Sequence, residues 1–181
     1  MTGVSLLELM VVLTIVAILL GVGTSSYKSI TASYRISSEI NGLLGDMEYA
    51  RSEAIKQGEN AVICVSTTGT DCTANNVNWN LGWIVFLDPN NTKSTGGNAT
   101  LVLRKQGAFT GTDTLTDGVT SNVSFDREGL ALGLLTTMSG NGGAVLPLHD
   151  ATGNATWTRC LEITNVGNVS VQQPATLPTC T

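Results

Sequence analysis

The chain divides by hydropathy into an unbroken apolar run at its start and a polar remainder rich in turn residues. Residues 4–23 read VSLLELMVVLTIVAILLGVG, and Glu8 is the only charged residue among them. At about 1.5 Å rise per residue, a helix of this length reaches roughly 30 Å, the thickness of the hydrocarbon core of a bilayer. The pattern therefore predicts a transmembrane helix over residues 4–23.

Beyond residue 23 the apolar positions recur every three or four residues, which is typical of an amphipathic helix. These positions are Ile30, Tyr34, Ile36, Ile40, Leu43, Leu44, Met47, Ala50, Ala54 and Ile55. Most charged side chains fall off this stripe and are expected to face water, namely Lys28, Glu39, Asp46, Glu48, Arg51, Glu53 and Lys56. Gly58 is suited to end this helix, since glycine is common just after a helix C-terminus. We expect residues 24–57 to form the amphipathic half of one long helix.

Short β-branched and aromatic runs bounded by turn residues predict strands within residues 58–181. The predicted strands cover residues 61–65, 83–87, 100–105, 122–125, 160–164 and 168–171, the last two at hairpin-like spacing. The polar stretches 66–80, 90–98 and 138–156 are predicted loops. The expected fold class is α+β, with the long helix packed on an antiparallel sheet.

Composition and charge narrow the function classes. The chain has 181 residues, a length typical of a single domain. Of these residues 42% are apolar and only 13% are charged, and the net charge is −5. An acidic chain is poorly suited to nucleic-acid binding, because that affinity comes mainly from cations that neutralise phosphates. The only adjacent basic residues, Arg104 and Lys105, are expected to form a solvated strand end.

Catalytic, cofactor and metal motifs find little support. His149 is the only histidine, and neither a Gly-x-Ser-x-Gly nor a His-x-x-x-His pattern occurs. Asp126 and Glu128 could be paired acids, but a turn explains them better. The segment 88–92 offers oxygen ligands loosely like those of a calcium loop, yet a tight turn requires the same residue types. We therefore expect no enzyme, no cofactor and no metal.

The start of the chain carries a family resemblance. Residues 3–12, GVSLLELMVV, resemble the prepilin signature. That resemblance implies that prepilin peptidase removes residues 1–3 by cutting between Gly3 and Val4, and that Val4 is then N-methylated. It also implies that Glu8, fifth in the mature chain, meets another subunit's methylated amine. The sequence departs from the pattern because Val4 stands where Phe is usual, and because residues 1–3 contain no basic residue.

Internal motifs extend the resemblance. The segment LGWIVFLD at residues 81–88 and the segment FDREG at residues 125–129 resemble those of the GspH/FimT (FimU-like) branch of minor pilins and pseudopilins. The resemblance implies a pilin fold, a single-pass inner-membrane protein with its C-terminal domain in the periplasm, and incorporation into a filament. Its partners would be other pilins, which pack on the N-terminal helix, together with prepilin peptidase and the assembly platform.

Three functions follow from that resemblance. The first is a minor type IV pilin that helps initiate pilus assembly in a tip or priming complex. The second is a GspH-like minor pseudopilin of a type II secretion system. The third is a DNA-uptake pilin, which is disfavoured because the segment VGNVS at residues 166–170 has no Arg where such pilins carry a basic motif.

The four cysteines favour disulfides, because disulfides are expected in a periplasmic domain. Three pairings are possible. We favour Cys64 with Cys72 and Cys160 with Cys180, because each closes a local loop beside a predicted strand. A four-cysteine zinc site is the rival, but it normally uses pairs two to four residues apart. The Cys160–Cys180 loop also resembles the C-terminal disulfide loop of pilins.

Overall fold

The structure, a computed structural model, describes residue 3, residues 5–132, residues 143–174 and residue 180; of residues 22–26, 28 and 29 it describes the backbone alone. The chain separates into two compact units, Met1–Arg35 and Ile36–Thr181. Helix α1, Leu6–Gln57, begins in the first unit and ends in the second. Its end is confirmed as predicted, and the Gly58 N–H closes the last turn by donating to the Ala54 carbonyl at 2.9 Å.

The strands of the described residues all belong to the second unit. They are β1 (Ala61–Val65), β2 (Gly82–Leu87), β3 (Val102–Gly107), β4 (Thr114–Leu115), β5 (Asn122–Phe125), β6 (Ala131–Leu132), β7 (Gly143–His149), β8 (Arg159–Thr164) and β9 (Val169–Gln172). Within the described ranges they form two antiparallel sheets, one in the order β3-β2-β1-β5-β6 and one in the order β4-β7-β8-β9. The predicted α+β class is confirmed, whereas the expectation of a single sheet is wrong. The second sheet is built on the consecutive strands β7, β8 and β9, and β4, which is two residues long, joins it at the β7 edge.

Strand β7 corrects the sequence analysis, which assigned residues 138–156 to a loop. Residues 138–142 of that loop lie outside the described residues, but Gly143–His149 forms the longest strand of the second sheet and pairs with β8. Pro147 obscured the strand, because proline is usually confined to strand edges. Here β4 reaches only Leu148 and His149, so Pro147 lies beyond the end of that neighbour.

The hydrophobic core of the second unit lies between α1 and both sheets. The helix contributes buried side chains at alternating spacings of four and three residues: Ile36, Ile40, Leu43, Met47, Ala50 and Ala54. This part of the predicted stripe is confirmed. Ile30, Tyr34 and Ile55 also belong to the predicted stripe but are exposed. Ile30 and Tyr34 lie in the first unit, where α1 is the only element among the described residues.

Each sheet also buries side chains on the face turned away from the core. On the first sheet, Val62, Cys64, Ile84 and Phe86 form a separate cluster with Cys72, to which Cys64 is bonded. On the second, Val145 packs with Cys160 and Cys180, which form the second disulfide. The structure thus contains both favoured disulfides. The first explains why β1 is a continuous apolar run, because its two faces are both covered.

Candidate assembly surfaces

The segment predicted to be processed lies at the start of α1. Gly3 is described and exposed, whereas Val4 and residues 1–2 lie outside the described residues. Glu8 occupies the first turn of α1 and is exposed, and the helix is already closed there because the Leu9 N–H donates to the Ser5 carbonyl at 3.1 Å. A carboxylate in the first turn is favoured by the helix dipole. The exposed Glu8 side chain therefore lies where the helix dipole favours its negative charge.

The first unit exposes an apolar surface around the whole helix. Between residues 6 and 20 the exposed large apolar side chains are Leu6, Leu7, Leu9, Met10, Val11, Val12, Leu13, Ile15, Val16, Ile18, Leu19 and Leu20. Thr14 donates its hydroxyl to the Val11 carbonyl at 2.8 Å, so this polar group is satisfied within the helix. An exposed apolar surface of this extent marks a contact with other proteins or with lipid.

In the part of the chain that the structure describes, no helix combines the length and apolarity needed to cross a bilayer. Within the predicted span 4–23, Val4 and the side chains of residues 22 and 23 lie outside the described residues.

Asp46 joins the helix to the first sheet, a role that the sequence analysis missed. One carboxylate oxygen accepts the Trp83 indole N–H at 2.8 Å, and the other pairs with the Arg104 guanidinium at 2.8 Å. Arg104 also lies over the Tyr49 ring, 4.1 Å from its centre. The prediction of a solvated Asp46 is therefore wrong, whereas Arg104 is ion-paired but remains exposed, as predicted for a solvated strand end. The buried indole needs an acceptor, and Asp46 is the acceptor that α1 supplies.

Arg51 ties the helix to turns from both sheets. Its Nε donates to the Gly129 carbonyl at 3.0 Å in the β5–β6 turn, and a second nitrogen donates to the Val166 carbonyl at 3.4 Å in the β8–β9 turn. The two turns are in close contact, because a Cβ on Gly167 would lie 1.9 Å from the Gly129 oxygen. Arg51 was expected to face water, and that expectation is wrong because the acceptors come from turns 78 and 115 residues away.

Glu53 is buried, although its charge predicted an exposed position. The Gln57 amide donates to it at 3.2 Å and the Lys56 ammonium at 3.1 Å. These hydrogen bonds, Gln57 first and Lys56 second, lower the pKa of Glu53 below its ordinary value. The carboxylate is therefore stabilised by its own helix. Glu48 is exposed as predicted, and the Lys28 side chain lies outside the described residues.

The remaining candidate residues have local structural partners. His149, half-buried at the end of β7, has its Nδ1 3.2 Å from the Thr158 hydroxyl. Asp126 accepts the N–H groups of Glu128 and Leu130, at 3.0 and 2.8 Å, which is the turn role favoured by the sequence. Glu128 in turn pairs with Arg127 at 2.9 Å. This pair, through its hydrogen bond first, raises the pKa of Arg127.

The loop with oxygen ligands is also organised by its own backbone. Asp88 is buried and accepts the N–H groups of Thr92 and Lys93, at 2.8 and 2.6 Å. Its oxygens therefore cap the turn at residues 88–93. Among the described residues, no three His, Cys, Asp or Glu side chains lie close enough together to hold a metal ion.

The motifs quoted from the sequence have structural roles. Trp83 and Phe86, three residues apart on β2, point to opposite faces of the first sheet, so that Trp83 joins the main core and Phe86 the outer cluster. Phe125 is buried in the main core, and Gly129 receives the Arg51 hydrogen bond. These positions secure the packing of the second unit, so the motifs identify a fold rather than a reaction.

Comparison with known proteins identifies the family. Residues 39–167, more than two thirds of the chain, match the family described as Type II transport protein GspH. Comparison with curated protein sequences gives no significant match.

Two solved structures, both of the type IV minor pilin FimU of Pseudomonas aeruginosa (strain PAO1), share the fold. The crystal structure in space group P21 aligns with a TM-score of 0.54 at 17% identity, over 86% of this chain and 96% of that chain. The crystal structure in space group P65 aligns with a TM-score of 0.53 at 17% identity, over 82% of this chain and 95% of that chain. The family is structural and envelope-associated, and its members assemble with other pilins. The chain therefore belongs to the GspH/FimT family of minor type IV pilins and pseudopilins.

Proposed function

We propose that the chain is a minor type IV pilin that takes part in initiating pilus assembly, within a tip or priming complex. The observation that carries the proposal is the exposed apolar surface of residues 6–20, because a surface of this kind requires a partner. The fold of the remainder supports it, since the alignment spans nearly the whole of a minor pilin, 96% of that chain.

The proposed mechanism begins with processing. Prepilin peptidase cuts between Gly3 and Val4, and the new amino group of Val4 is methylated. Residues 4–23 anchor the chain in the inner membrane, and residues 58–181 lie in the periplasm. The apolar helices of neighbouring pilins then pack together in the filament.

Glu8 contributes register to this packing. A carboxylate among apolar side chains is costly unless a cation pairs with it. The methylated amine of a neighbouring subunit supplies that cation. Subunits that are displaced along the helix axis would leave both charges unpaired, so the pair selects one relative position. The assembly energy comes from the motor of the machine, and this chain supplies the contact surface.

A second candidate is a minor pseudopilin of a type II secretion system. The description of the matched family, Type II transport protein GspH, favours it. A pseudopilin would use the same helix and the same Glu8 pair with different neighbours. DNA uptake remains disfavoured, because residues 166–170 contain no Arg and form the β8–β9 turn and the start of β9.

The deciding experiment deletes the gene and measures sheared surface pili and secreted proteins in the same cultures. For a priming minor pilin, pili fall sharply, return on complementation, and secretion is unchanged. Loss of secretion with normal pili would instead support the pseudopilin. If both remain normal, the chain has neither role, and DNA uptake is then measured directly.

A second experiment tests the Glu8 mechanism. We expect Glu8→Gln, which removes the charge but keeps the shape, to abolish complementation, whereas Thr14→Val on the same helix complements. Mass spectrometry of the N-terminal peptide checks processing, with a methylated Val4 as the expected first residue. Full complementation by Glu8→Gln would contradict the pairing mechanism.

A further inference from the structure

Two edges of the first sheet expose apolar side chains beside charges of opposite sign. The acidic edge comprises Glu59, Asp126, Glu128, Leu130 and Leu132, at the end of α1 and around β6. The basic edge comprises Leu101, Leu103, Arg104 and Lys105, on and just before β3. Among the described strands of this sheet β3 and β6 are the outermost, so the two edges lie on opposite sides of the sheet.

The acidic edge surrounds an open cleft of about 480 Å³. Its lining residues are Gly58, Glu59, Asn60, Pro89, Asp126, Arg127 and Glu128. Three carboxylates face one guanidinium there, so the cleft carries net negative charge. Leu130, at 42% exposure, and Leu132, at 39%, supply the apolar part of the edge. The Asp126 hydrogen bonds fix the turn, so the edge is preorganised.

The basic edge has the opposite charge and also exposes apolar side chains. Leu101 and Leu103 are exposed beside Lys105, which forms no ion pair among the described residues. Arg104 is held in place by Asp46 and the Tyr49 ring, which keeps this part of β3 rigid. A hollow of about 300 Å³ opens next to these side chains. Apart from half-buried Val102, the whole strand is exposed.

We propose that the basic edge of one copy of this chain docks on the acidic edge of a second copy. The two edges carry opposite charges and each exposes apolar side chains, so both halves of a matching contact are present on this one chain. Because the two edges differ and lie on opposite sides, the contact is head-to-tail and leaves a free edge on each copy. The contact joins the second units of two copies and is separate from the proposed packing of their N-terminal helices. It does not depend on whether the chain serves a pilus or a secretion system.

The contact is weak and sensitive to salt. Exposed ion pairs contribute little individually and are screened within about 8 Å at physiological ionic strength. Their main effect is on orientation, since a wrong edge would bring like charges together. We therefore expect charge-reversal variants to change the association measurably without abolishing folding.

The test measures self-association of the purified full chain in detergent by sedimentation equilibrium. Lys105→Glu and Glu59→Lys should each raise the dissociation constant about fivefold, since each replaces attraction by repulsion. The double variant should return to within about twofold of the wild type, because the reversed charges again match. Glu48→Lys, at an exposed position of α1 outside both edges, is the control and should leave association unchanged.

Carbodiimide cross-linking of mixed isotope-labelled and unlabelled chains then maps the contact. The expected product joins Lys105 of one chain to Glu59, Asp126 or Glu128 of another. The proposal is overturned if the wild type does not associate, if the double variant is no better than either single variant, or if Lys105 cross-links elsewhere. None of these outcomes depends on pilus number, so this proposal and the pilus role fail separately.

Discussion

The contact between Gly167 and Gly129 gives the sharpest test of how the second unit is held together. Gly167 has φ +79°, and a Cβ there would lie 1.9 Å from the Gly129 oxygen and 3.1 Å from Arg51 Nε. Gly153 has a similar φ of +65°, but a Cβ there would meet nothing within 4 Å. Alanine at each position therefore separates the cost of a left-handed backbone from the cost of the contact.

The expected magnitudes follow from these two situations. A non-glycine residue in the left-handed region costs about 1–2 kcal/mol, and both variants incur this cost. At Gly167 the Gly129 carbonyl must also move, which breaks its hydrogen bond from Arg51, and a hydrogen bond to a charged group contributes about 1.5–3 kcal/mol. We expect Gly153→Ala to lower the free energy of unfolding by about 1 kcal/mol, and Gly167→Ala by about 3–4 kcal/mol.

Urea unfolding of the full chain in detergent, followed by tryptophan fluorescence, measures both changes. The buried Trp79 and Trp83 report on the core. In a double-mutant cycle, Arg51→Ala with Gly167→Ala should cost less than the sum of the single changes, because both remove the same hydrogen bond. Equal losses in Gly153→Ala and Gly167→Ala would refute the role of the contact, and strict additivity with Arg51→Ala would refute the role of that hydrogen bond.

Two further predictions concern individual carboxylates. Asp46→Ala should lower the free energy of unfolding by about 2–3 kcal/mol, because it leaves the Trp83 N–H buried without its acceptor; Glu48→Ala, on an exposed part of the same helix, should change it by less than about 0.5 kcal/mol in the same urea assay. For Asp71, burial alone would raise the pKa, but hydrogen bonds, the strongest from the Thr95 N–H at 2.9 Å, outweigh it and lower the pKa. Its stabilisation is therefore complete above the unfolded pKa of about 3.9 and is lost as pH falls through the lower folded pKa, a dependence that Asp71→Asn should flatten in urea titrations from pH 6 to 2.

The sequence predicts local elements well where one periodicity dominates. The part of the stripe from Ile36 to Ala54 repeats at helical spacing and packs into the core, because there the helix lies against the sheets of the second unit. Strand β1 is predicted with its observed ends because β-branched residues fill it between turn residues. In contrast, β7 was missed, because Pro147 and the neighbouring glycines outweigh its short apolar run.

The polar contacts could not be predicted for a different reason. Asp46 and Arg51 look like ordinary water-facing residues of an amphipathic helix, and the signal that would distinguish them lies in their partners. Those partners are Trp83 on β2 and the two turns at Gly129 and Val166, far away in sequence. Only the three-dimensional pairing of the strands brings donor and acceptor together, and one sequence carries no direct record of it.

The two disulfides lie on the outer faces of the two sheets, so full covering of these faces in the second unit depends on an oxidising environment. The Cys64–Cys72 bond is a covalent tie for the segment that covers Ile84 and Phe86 on the outer side of the first sheet, and it adds to hydrogen bonds such as that from the Thr73 N–H to the Val65 carbonyl at 2.8 Å. A chain emerging into an oxidising space can close this cover and the one at Cys160 after translocation. In a reducing space the second unit would keep these apolar sheet faces less well covered. Exposed apolar surface of this kind favours recognition by chaperones and proteases. We therefore expect the second unit to reach its full stability only where its four cysteines are oxidised.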